Sequence, residues 1–357
     1  MQEIRINGGS AGQRLNKFLG KYLDDAPQGF LYKMLRKKNI KWNNKKASGN
    51  EILQEGDSIQ IYLADETIIK FRRDGKLPEP SEQVTANVFT DEKGFSKPVD
   101  SPYKPSDTPL ADIEILYEDT DILILNKPVG ILSQKAAADD YSLNERIVDY
   151  YKGKQVGDIF FTPSVCNRLD RNTSGILLAG MSLKGSQTLS EMLKQRTIDK
   201  YYLTIVCGHV EDSSTMKGFL VKKANHHQVV VYSSLKDAKE SLVEKPAYIE
   251  THYEPVAYGA YLDMEFTLLR VKLITGKTHQ IRAHLSSVGH PIIGDGKYGL
   301  KSINSILKKE FGLRHQMLHA YEIVFPVTNT LSENLSGATF QADLPKEFEE
   351  LKKNLFH

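Results

Sequence analysis

A carboxylate between two guanidinium groups is the feature of this sequence that most suggests chemistry. Asp170 stands between Arg168 and Arg171 in the polar segment 167–175. The apolar run 176–179 follows directly and predicts a buried strand. A strand edge would hold Asp170 on a rigid scaffold, which is where catalytic side chains tend to lie. Taken alone, however, the segment favours a structural aspartate that caps the turn and pairs with arginine.

A second segment, residues 273–285, has the pattern of a strand end, a glycine turn and a helix. Ile281, Leu285 and Val288 recur at i, i+4 and i+7, so we predict that all three face the core. Arg282 then lies on a different face of the same helix and is held by a rigid element. For Arg282 alone, an arginine exposed to solvent is the ordinary alternative.

Two other interpretations of this region are weaker. Gaps of five and six residues separate His279, His284 and His290, and they do not place the three imidazoles on one helix face. The run 275–278 contains Gly-Lys-Thr but lacks the glycine spacing of a nucleotide-binding loop. We therefore predict neither a metal site nor a cofactor.

Composition limits the class of protein. The 357 residues are 40% hydrophobic, enough for a substantial core in one large domain or two. No apolar run approaches the roughly 20 residues that cross a bilayer, and the first residues lack a secretory hydrophobic stretch. Cys166 and Cys207 are the only cysteines, which suits buried thiols better than a disulfide framework. We expect a cytoplasmic protein with no membrane association.

The charge is unevenly spread along the chain. Residues 1–64 carry 11 of the 47 Lys and Arg residues but 6 of the 45 Asp and Glu residues, a net charge of +5 against −3 for the remainder. Apolar spacing from Leu15 and again from Leu31 predicts two short amphipathic helices. Alternation around turns at 43–44 and 55–57 predicts a small hairpin sheet. We predict that this segment is a small domain of its own.

Seven basic residues and no acidic residue lie between positions 33 and 46. Such a stripe suits a phosphate backbone, although a lysine-rich solvated face is the ordinary alternative. The candidate contacts to such a backbone are Lys33, Arg36, Lys37, Lys38 and Lys45.

Two further regions complete the predicted organisation. Residues 65–110 hold six of the fourteen prolines and lose periodicity, so we predict a linker there. Residues 111–357 are predicted to form a large domain, with a core strand at 122–125, a helix from Ser182 and a strand around Tyr202.

The segments 168–175 and 275–282 together closely resemble the RluA-type pseudouridine synthase family. Further matches follow in the family's order across residues 113–326, at 126–130, 200–202, 289–295 and 318–320. Residues 13–63 resemble the S4 RNA-binding module. These resemblances imply an α+β fold, with a mixed, largely antiparallel sheet, flanking helices and a central cleft, preceded by a small α/β S4-like domain.

The resemblance also implies a reaction and its residues. The expected activity is the cofactor-free isomerisation of uridine to pseudouridine in structured RNA, by an enzyme that we expect to be a monomer. Asp170 matches the catalytic carboxylate, Arg282 the arginine that pairs with it, and Tyr202 the active-site tyrosine. Because the target base must leave its stack, Arg168 becomes a candidate RNA contact at the vacated position, with a structural salt bridge as its alternative.

The RNA target is less closely defined than the reaction. We expect 23S ribosomal RNA, because an S4-like arm often accompanies family members directed to ribosomal RNA. Transfer RNA is the alternative substrate. A hypothesis from another class is a non-catalytic RNA-binding or assembly factor with the same fold, which the intact Asp170, Tyr202 and Arg282 argue against.

Overall fold

In a computed structural model, the described residues of the chain form two β-sheets, each with its own set of buried apolar residues. The structure describes residues 2–6, 10–72, 76, 109–137, 139–154, 161–222, 228–240 and 245–356. The smaller sheet belongs to the N-terminal segment and the larger sheet to the rest of the described chain.

The N-terminal sheet has four antiparallel strands in the order β1-β4-β2-β3. The strands are β1 (Gln2–Arg5), β2 (Ile40–Trp42), β3 (Lys45–Lys46) and β4 (Ser58–Ile61). Helices α1 (Leu15–Tyr22) and α2 (Gln28–Arg36) bury their apolar stripes against this sheet, which confirms the two predicted helices and the hairpin. Asn43 and Asn44 both have positive φ, as a tight two-residue hairpin turn requires.

The predicted start of the linker at residue 65 is wrong. Residues Asp65–Lys70 form a third helix, α3, and Ile68 is fully buried in the N-terminal core. Phe71 also packs there, with its ring 4.6 Å from that of Phe30. At the other end, Leu110 is buried in the core of the larger sheet. The remainder of the predicted linker, residues 73–75 and 77–108, lies outside the described residues.

In the part of the chain that the structure describes, the large sheet has eleven strands in the order β11-β10-β12-β13-β9-β14-β8-β6-β5, with β15 beside β14 and β7 beside β8. Within the described residues every pair is antiparallel except β8 with β14, which confirms the mixed, largely antiparallel sheet. The strands are β5 (Glu114–Glu118), β6 (Ile122–Lys127), β7 (Ser164–Val165), β8 (Ser174–Gly180), β9 (Asp199–Cys207), β10 (Ser214–Lys222), β11 (Val229–Tyr232), β12 (Ala247–Tyr261), β13 (Met264–Leu273), β14 (Leu318–Val324) and β15 (Thr339–Gln341).

Within the described ranges, six helices flank this sheet. They are α4 (Leu143–Gly153), α5 (Leu183–Gln195), α6 (Leu235–Glu240), α7 (Gln280–Ser287), α8 (Lys301–Phe311) and α9 (Lys346–Leu355). Helix α5 begins after Ser182 as predicted, and the Ser182 hydroxyl accepts a hydrogen bond from the Gly185 amide as an N-cap. Among the described residues, no helix combines the length and the apolar character that crossing a membrane requires.

The parallel junction of β8 with β14 depends on Gly175. Its φ is +107°, and a Cβ there would lie 2.2 Å from the carbonyl oxygen of Ala320. Only glycine allows this backbone approach, which pairs Ser174 with His319 and Gly175 with Ala320. The turn that carries Asp170 is therefore fixed at its C-terminal end by the centre of the sheet.

Helix α7 differs from its predicted orientation at one residue. Ile281 and Leu285 are buried as expected, but Val288 is 45% exposed. The helix ends at Ser287, so Val288, the third residue of the predicted apolar pattern, lies one residue beyond the helix. Arg282 and His284 are buried instead, because α7 packs into the molecule on most of its circumference.

Candidate active site

Asp170 and Arg282, 112 residues apart in the sequence, form a direct ion pair. Arg282 Nη1 donates to Asp170 Oδ2 at 2.7 Å. The arginine side chain is 6% exposed and the carboxylate 26%, so the aspartate is the more accessible partner. Oδ1 of Asp170 accepts no hydrogen bond from any residue that the structure describes. One carboxylate oxygen is thus held by the protein and the other is available to a substrate.

A second carboxylate holds the other edge of the Arg282 guanidinium. Nε and Nη2 donate to Asp295 at 2.7 and 2.9 Å, and the Asp295 side chain is fully buried. Asp295 also accepts the backbone amides of Lys297 and Tyr298. Burial opposes the charge of Arg282, but Asp295 and Asp170 outweigh it and raise the pKa of the guanidinium above its ordinary value. Arg282 is therefore a permanent cation.

Ser133 fixes the backbone directly before Asp170. Its hydroxyl accepts from the Leu169 amide at 3.0 Å and donates to the Leu169 carbonyl at 2.9 Å. Ser133 is itself buried. Both backbone groups of one residue are thus satisfied by one side chain, which restricts the rotation of the peptide units that lead into Asp170.

Lys127 fixes the backbone directly after Asp170. Its Nζ donates to the carbonyls of Pro128 and Ile131 at 2.9 Å and to that of Arg171 at 3.2 Å, and the residue is fully buried. Burial lowers the pKa of Lys127 to about 7, whereas the charge of Asp170 acts in the opposite direction. Three carbonyl acceptors match the three hydrogens of an ammonium group, so this geometry suits the protonated lysine in a structural role.

Tyr202 lies on β9, in the apolar cluster that also contains Leu169 and Ile281. Burial, and then the negative charge of Asp170, raise the pKa of its phenol well above the ordinary value. The hydroxyl therefore stays protonated at neutral pH and can donate a hydrogen bond, but it cannot act as a base there. Tyr202 is at once a core residue and a neighbour of the carboxylate.

His279 and Tyr298 belong to the site although the sequence pattern identified neither as part of it. His279 Nε2 lies 3.9 Å from Asp170 Oδ2, and His279 Nδ1 lies 3.0 Å from the Tyr298 hydroxyl. His284 and His290 bond elsewhere, to Thr251 and to a backbone carbonyl. Among the described residues no group of three metal-ligating side chains occurs. The sequence could have identified His279 as a site residue from its position three residues before Arg282 in the same segment.

The predicted RNA contacts lie outside the group of side chains that surrounds Asp170. Arg168 is exposed, and it forms no ion pair with the described residues. The five basic residues of the N-terminal segment are also exposed, and no contact joins them to Asp170 in the part of the chain that the structure describes. These five residues are Lys33, Arg36, Lys37, Lys38 and Lys45.

Comparison with known proteins gives consistent matches. The sequence model of the family described as RNA pseudouridylate synthase matches residues 121–287, which contain Asp170, Tyr202 and Arg282. The chain is 29% identical over 324 residues to the ribosomal large subunit pseudouridine synthase C of Salmonella typhi, covering 90% of this chain and 88% of that protein. It is 29% identical over 334 residues to the protein of the same name in Vibrio cholerae, covering 91% and 89%.

A solved structure shares the fold. Human RNA Pseudouridylate Synthase Domain Containing 1 superimposes with a TM-score of 0.52 at 24% identity, covering 71% of this chain and 91% of that one. The family model and the named relatives indicate an isomerase that acts on RNA. The chain is similar to members of the RNA pseudouridylate synthase family, over residues 121–287 for the family model. The expected fold class and enzyme class are confirmed.

Proposed function

We propose that this enzyme converts uridine to pseudouridine in large-subunit ribosomal RNA, as a monomer in the cytoplasm, with Asp170 as its catalytic carboxylate. The observation that carries the catalytic assignment is the 2.7 Å ion pair between Arg282 and one oxygen of Asp170, with the second oxygen available. The choice of RNA rests on the relatives named ribosomal large subunit pseudouridine synthase C, which align over about 90% of the chain.

The reaction is redox-neutral and needs no external group. The N1–C1′ bond breaks, the base turns, and a C5–C1′ bond forms; C5 loses a proton and N1 gains one. The unpaired Oδ1 of Asp170 suits either of two routes, attack on C1′ as a nucleophile or acceptance of a proton from the sugar. In both routes the carboxylate must be oriented towards the sugar, and the hydrogen bond from Arg282 to Oδ2 holds it in one orientation.

Tyr202 and Arg168 complete the proposed assignment. Tyr202 offers an aromatic face and a protonated hydroxyl beside the carboxylate, which suits a base held out of its stack. Extrusion costs a few kcal/mol, least for loop nucleotides. The exposed Arg168 adjoins the catalytic turn and is free to contact the RNA at the vacated position. The basic N-terminal surface would bind phosphates farther along the RNA.

The test combines gene deletion with pseudouridine mapping in total ribosomal and transfer RNA. Deletion should remove one or more sites in large-subunit ribosomal RNA, and wild-type protein should restore them. Asp170→Asn should restore none, whereas Asp263→Asn, an exposed aspartate in the β12–β13 turn, should restore all. Loss of sites only in transfer RNA would reassign the substrate. An unchanged map, or full restoration by Asp170→Asn, would contradict the enzymatic proposal.

A further inference from the structure

A histidine without an assigned role lies at the same oxygen of Asp170 as Arg282. We propose that His279 is a positioning residue for Asp170, and that its Nε2–H, in a tautomer fixed by Tyr298, faces Oδ2 and keeps Oδ1 turned to the substrate. The separation from Nε2 to Oδ2 is 3.9 Å. This role rests on the proposed function of Asp170, since it is the catalytic carboxylate that is positioned.

The tautomer follows from the hydrogen bonds of Tyr298. The Val229 amide donates to the Tyr298 hydroxyl oxygen at 2.9 Å. The hydroxyl hydrogen then needs an acceptor, and His279 Nδ1, at 3.0 Å, is the one that the described residues offer. An imidazole whose Nδ1 accepts a hydrogen bond carries its hydrogen on Nε2 when neutral. The Val229–Tyr298–His279 chain therefore directs an N–H donor towards Asp170.

The ring of His279 is also held in place. It meets the Tyr298 ring edge to face, with centroids 5.7 Å apart, and its side chain is 12% exposed. His279 has φ +56° and precedes the first residue of α7, and histidine is one of the few residue types enriched in this conformation. Backbone and side chain together fix the direction of Nε2.

The charge balance favours a neutral donor at this position. Asp170, Arg282, Lys297 and Asp295 all act on the imidazole, and burial lowers the pKa of His279 below its ordinary value. A neutral imidazole adds a donor without placing a second cation beside Arg282. At 3.9 Å the contact is longer than a hydrogen bond, but catalytic contacts in unliganded enzymes often tighten when substrate binds.

The first test does not require activity. In the full-length protein with ¹⁵N-labelled imidazoles, long-range ¹H–¹⁵N correlation spectra distinguish the two neutral tautomers. The His279 signal, assigned by its loss in His279→Asn, should show the Nε2–H form. Tyr298→Phe keeps the ring but removes the hydroxyl, and it should convert the signal to a mixture or to the Nδ1–H form. An Nδ1–H tautomer in the wild type, or no change in Tyr298→Phe, would overturn the proposal.

The second test separates positioning from RNA contact. The probe is an in vitro transcript of large-subunit ribosomal RNA labelled with [5-³H]uridine, with tritium release measured in single turnover and affinity by filter binding. His279→Asn tolerates the backbone conformation but is too short to reach Asp170. It should lower the rate at saturating RNA by about tenfold or more while the Kd changes by less than about twofold.

Two variants complete the second test. His279→Gln, which can extend an N–H towards Asp170, should recover most of the rate. His252→Asn, which removes a histidine that contacts Thr215, should behave as wild type. An unchanged rate in His279→Asn, or a Kd increase that accounts for the whole loss, would overturn the positioning role. If wild-type protein releases no tritium from this transcript, the proposed substrate fails, and the tautomer measurement still decides the inference.

Discussion

Asp295 accepts two hydrogen bonds, of 2.7 and 2.9 Å, from the edge of the Arg282 guanidinium that does not contact Asp170. We expect Asp295→Asn to loosen this orientation and leave a buried cation with one carboxylate in place of two. Breaking a buried ion pair costs about 3–5 kcal/mol, and we expect about 3 because Asp170 remains. Urea unfolding measures this loss, and tritium release at saturating RNA should fall about tenfold with it.

The matched control for this prediction is Asp263→Asn, which should change neither stability nor rate because Asp263 is exposed. A rate measurement on the folded variant separates the effect of Asp295 on the orientation of Arg282 from its effect on the stability of the fold. At a temperature where Asp295→Asn is still fully folded, its rate should remain low. If the rate recovers fully under that condition, Asp295 stabilises the fold without orienting Arg282.

Ser133→Ala should affect Asp170 through the backbone. The change removes the hydroxyl that bonds both the amide and the carbonyl of Leu169, and it leaves these buried groups unsatisfied. Such a loss costs about 1–3 kcal/mol, and the rate should fall because the turn that carries Asp170 is less restricted. Thermal unfolding and single-turnover kinetics measure the two effects. Ser305→Ala, an exposed helical serine bonded to one carbonyl, should change neither; equal behaviour of the two variants would contradict the prediction.

The parts of the molecule that the sequence predicted are those encoded by local patterns. The two N-terminal helices follow from apolar residues at helical spacing, and all of those residues are buried. The strand after Asp170 follows from a continuous apolar run. The pairing of Asp170 with Arg282 was expected because both residues stand in distinctive motifs that match one family.

The parts that the sequence did not predict depend on tertiary contacts or on weak local signals. Ser133 meets Leu169 across 36 residues, and no periodicity marks either residue. Tyr298 reaches His279 only because the segment 289–299, which follows α7, folds back over that helix. Helix α3 is six residues long, too short for a helical period to be visible. Val288 was misassigned because spacing alone cannot locate the last turn of a helix.

The exposed basic surface of the N-terminal segment should control the salt dependence of RNA binding. Replacing its five candidate residues with glutamine should reduce affinity and flatten the plot of log K against log salt. If all five contact phosphates, at about 0.7 to 0.9 per contact, the slope should change by about 3.5 to 4.5. The substituted residues are Lys33, Arg36, Lys37, Lys38 and Lys45.

In the control variant for the basic surface, five exposed lysines on α8 and α9 are replaced with glutamine. This variant has the same net charge as the first quintuple variant, because each loses five positive charges. Its slope should stay near that of the wild type. Equal slopes in the two quintuple variants would show that net charge alone acts, and an unchanged affinity in the first would exclude the N-terminal surface from RNA binding. The control residues are Lys301, Lys308, Lys309, Lys346 and Lys353.

Two buried histidines should make the fold sensitive to acid. Burial lowers the pKa of His319 to about 4 and that of His284 to about 4. An unfolded histidine titrates near 6.5, so between about pH 6.5 and 4 the unfolded chain binds protons that the folded chain does not. The free energy of unfolding therefore falls as pH decreases through this window, by up to about 3 kcal/mol for each histidine.

The contribution of His319 can be measured by difference. His319 is held between the Ser174 hydroxyl at 2.8 Å and the Ala342 carbonyl at 3.1 Å, at the junction of β8 with β14. His319→Gln lowers stability at every pH, but it should flatten the dependence between pH 6.5 and 4.5, because glutamine does not titrate. Urea unfolding at four pH values, with half-exposed His252→Gln as the control for loss of an imidazole, measures the slope. If His319→Gln keeps the wild-type slope, carboxylates alone cause the acid sensitivity and His319 does not contribute to it.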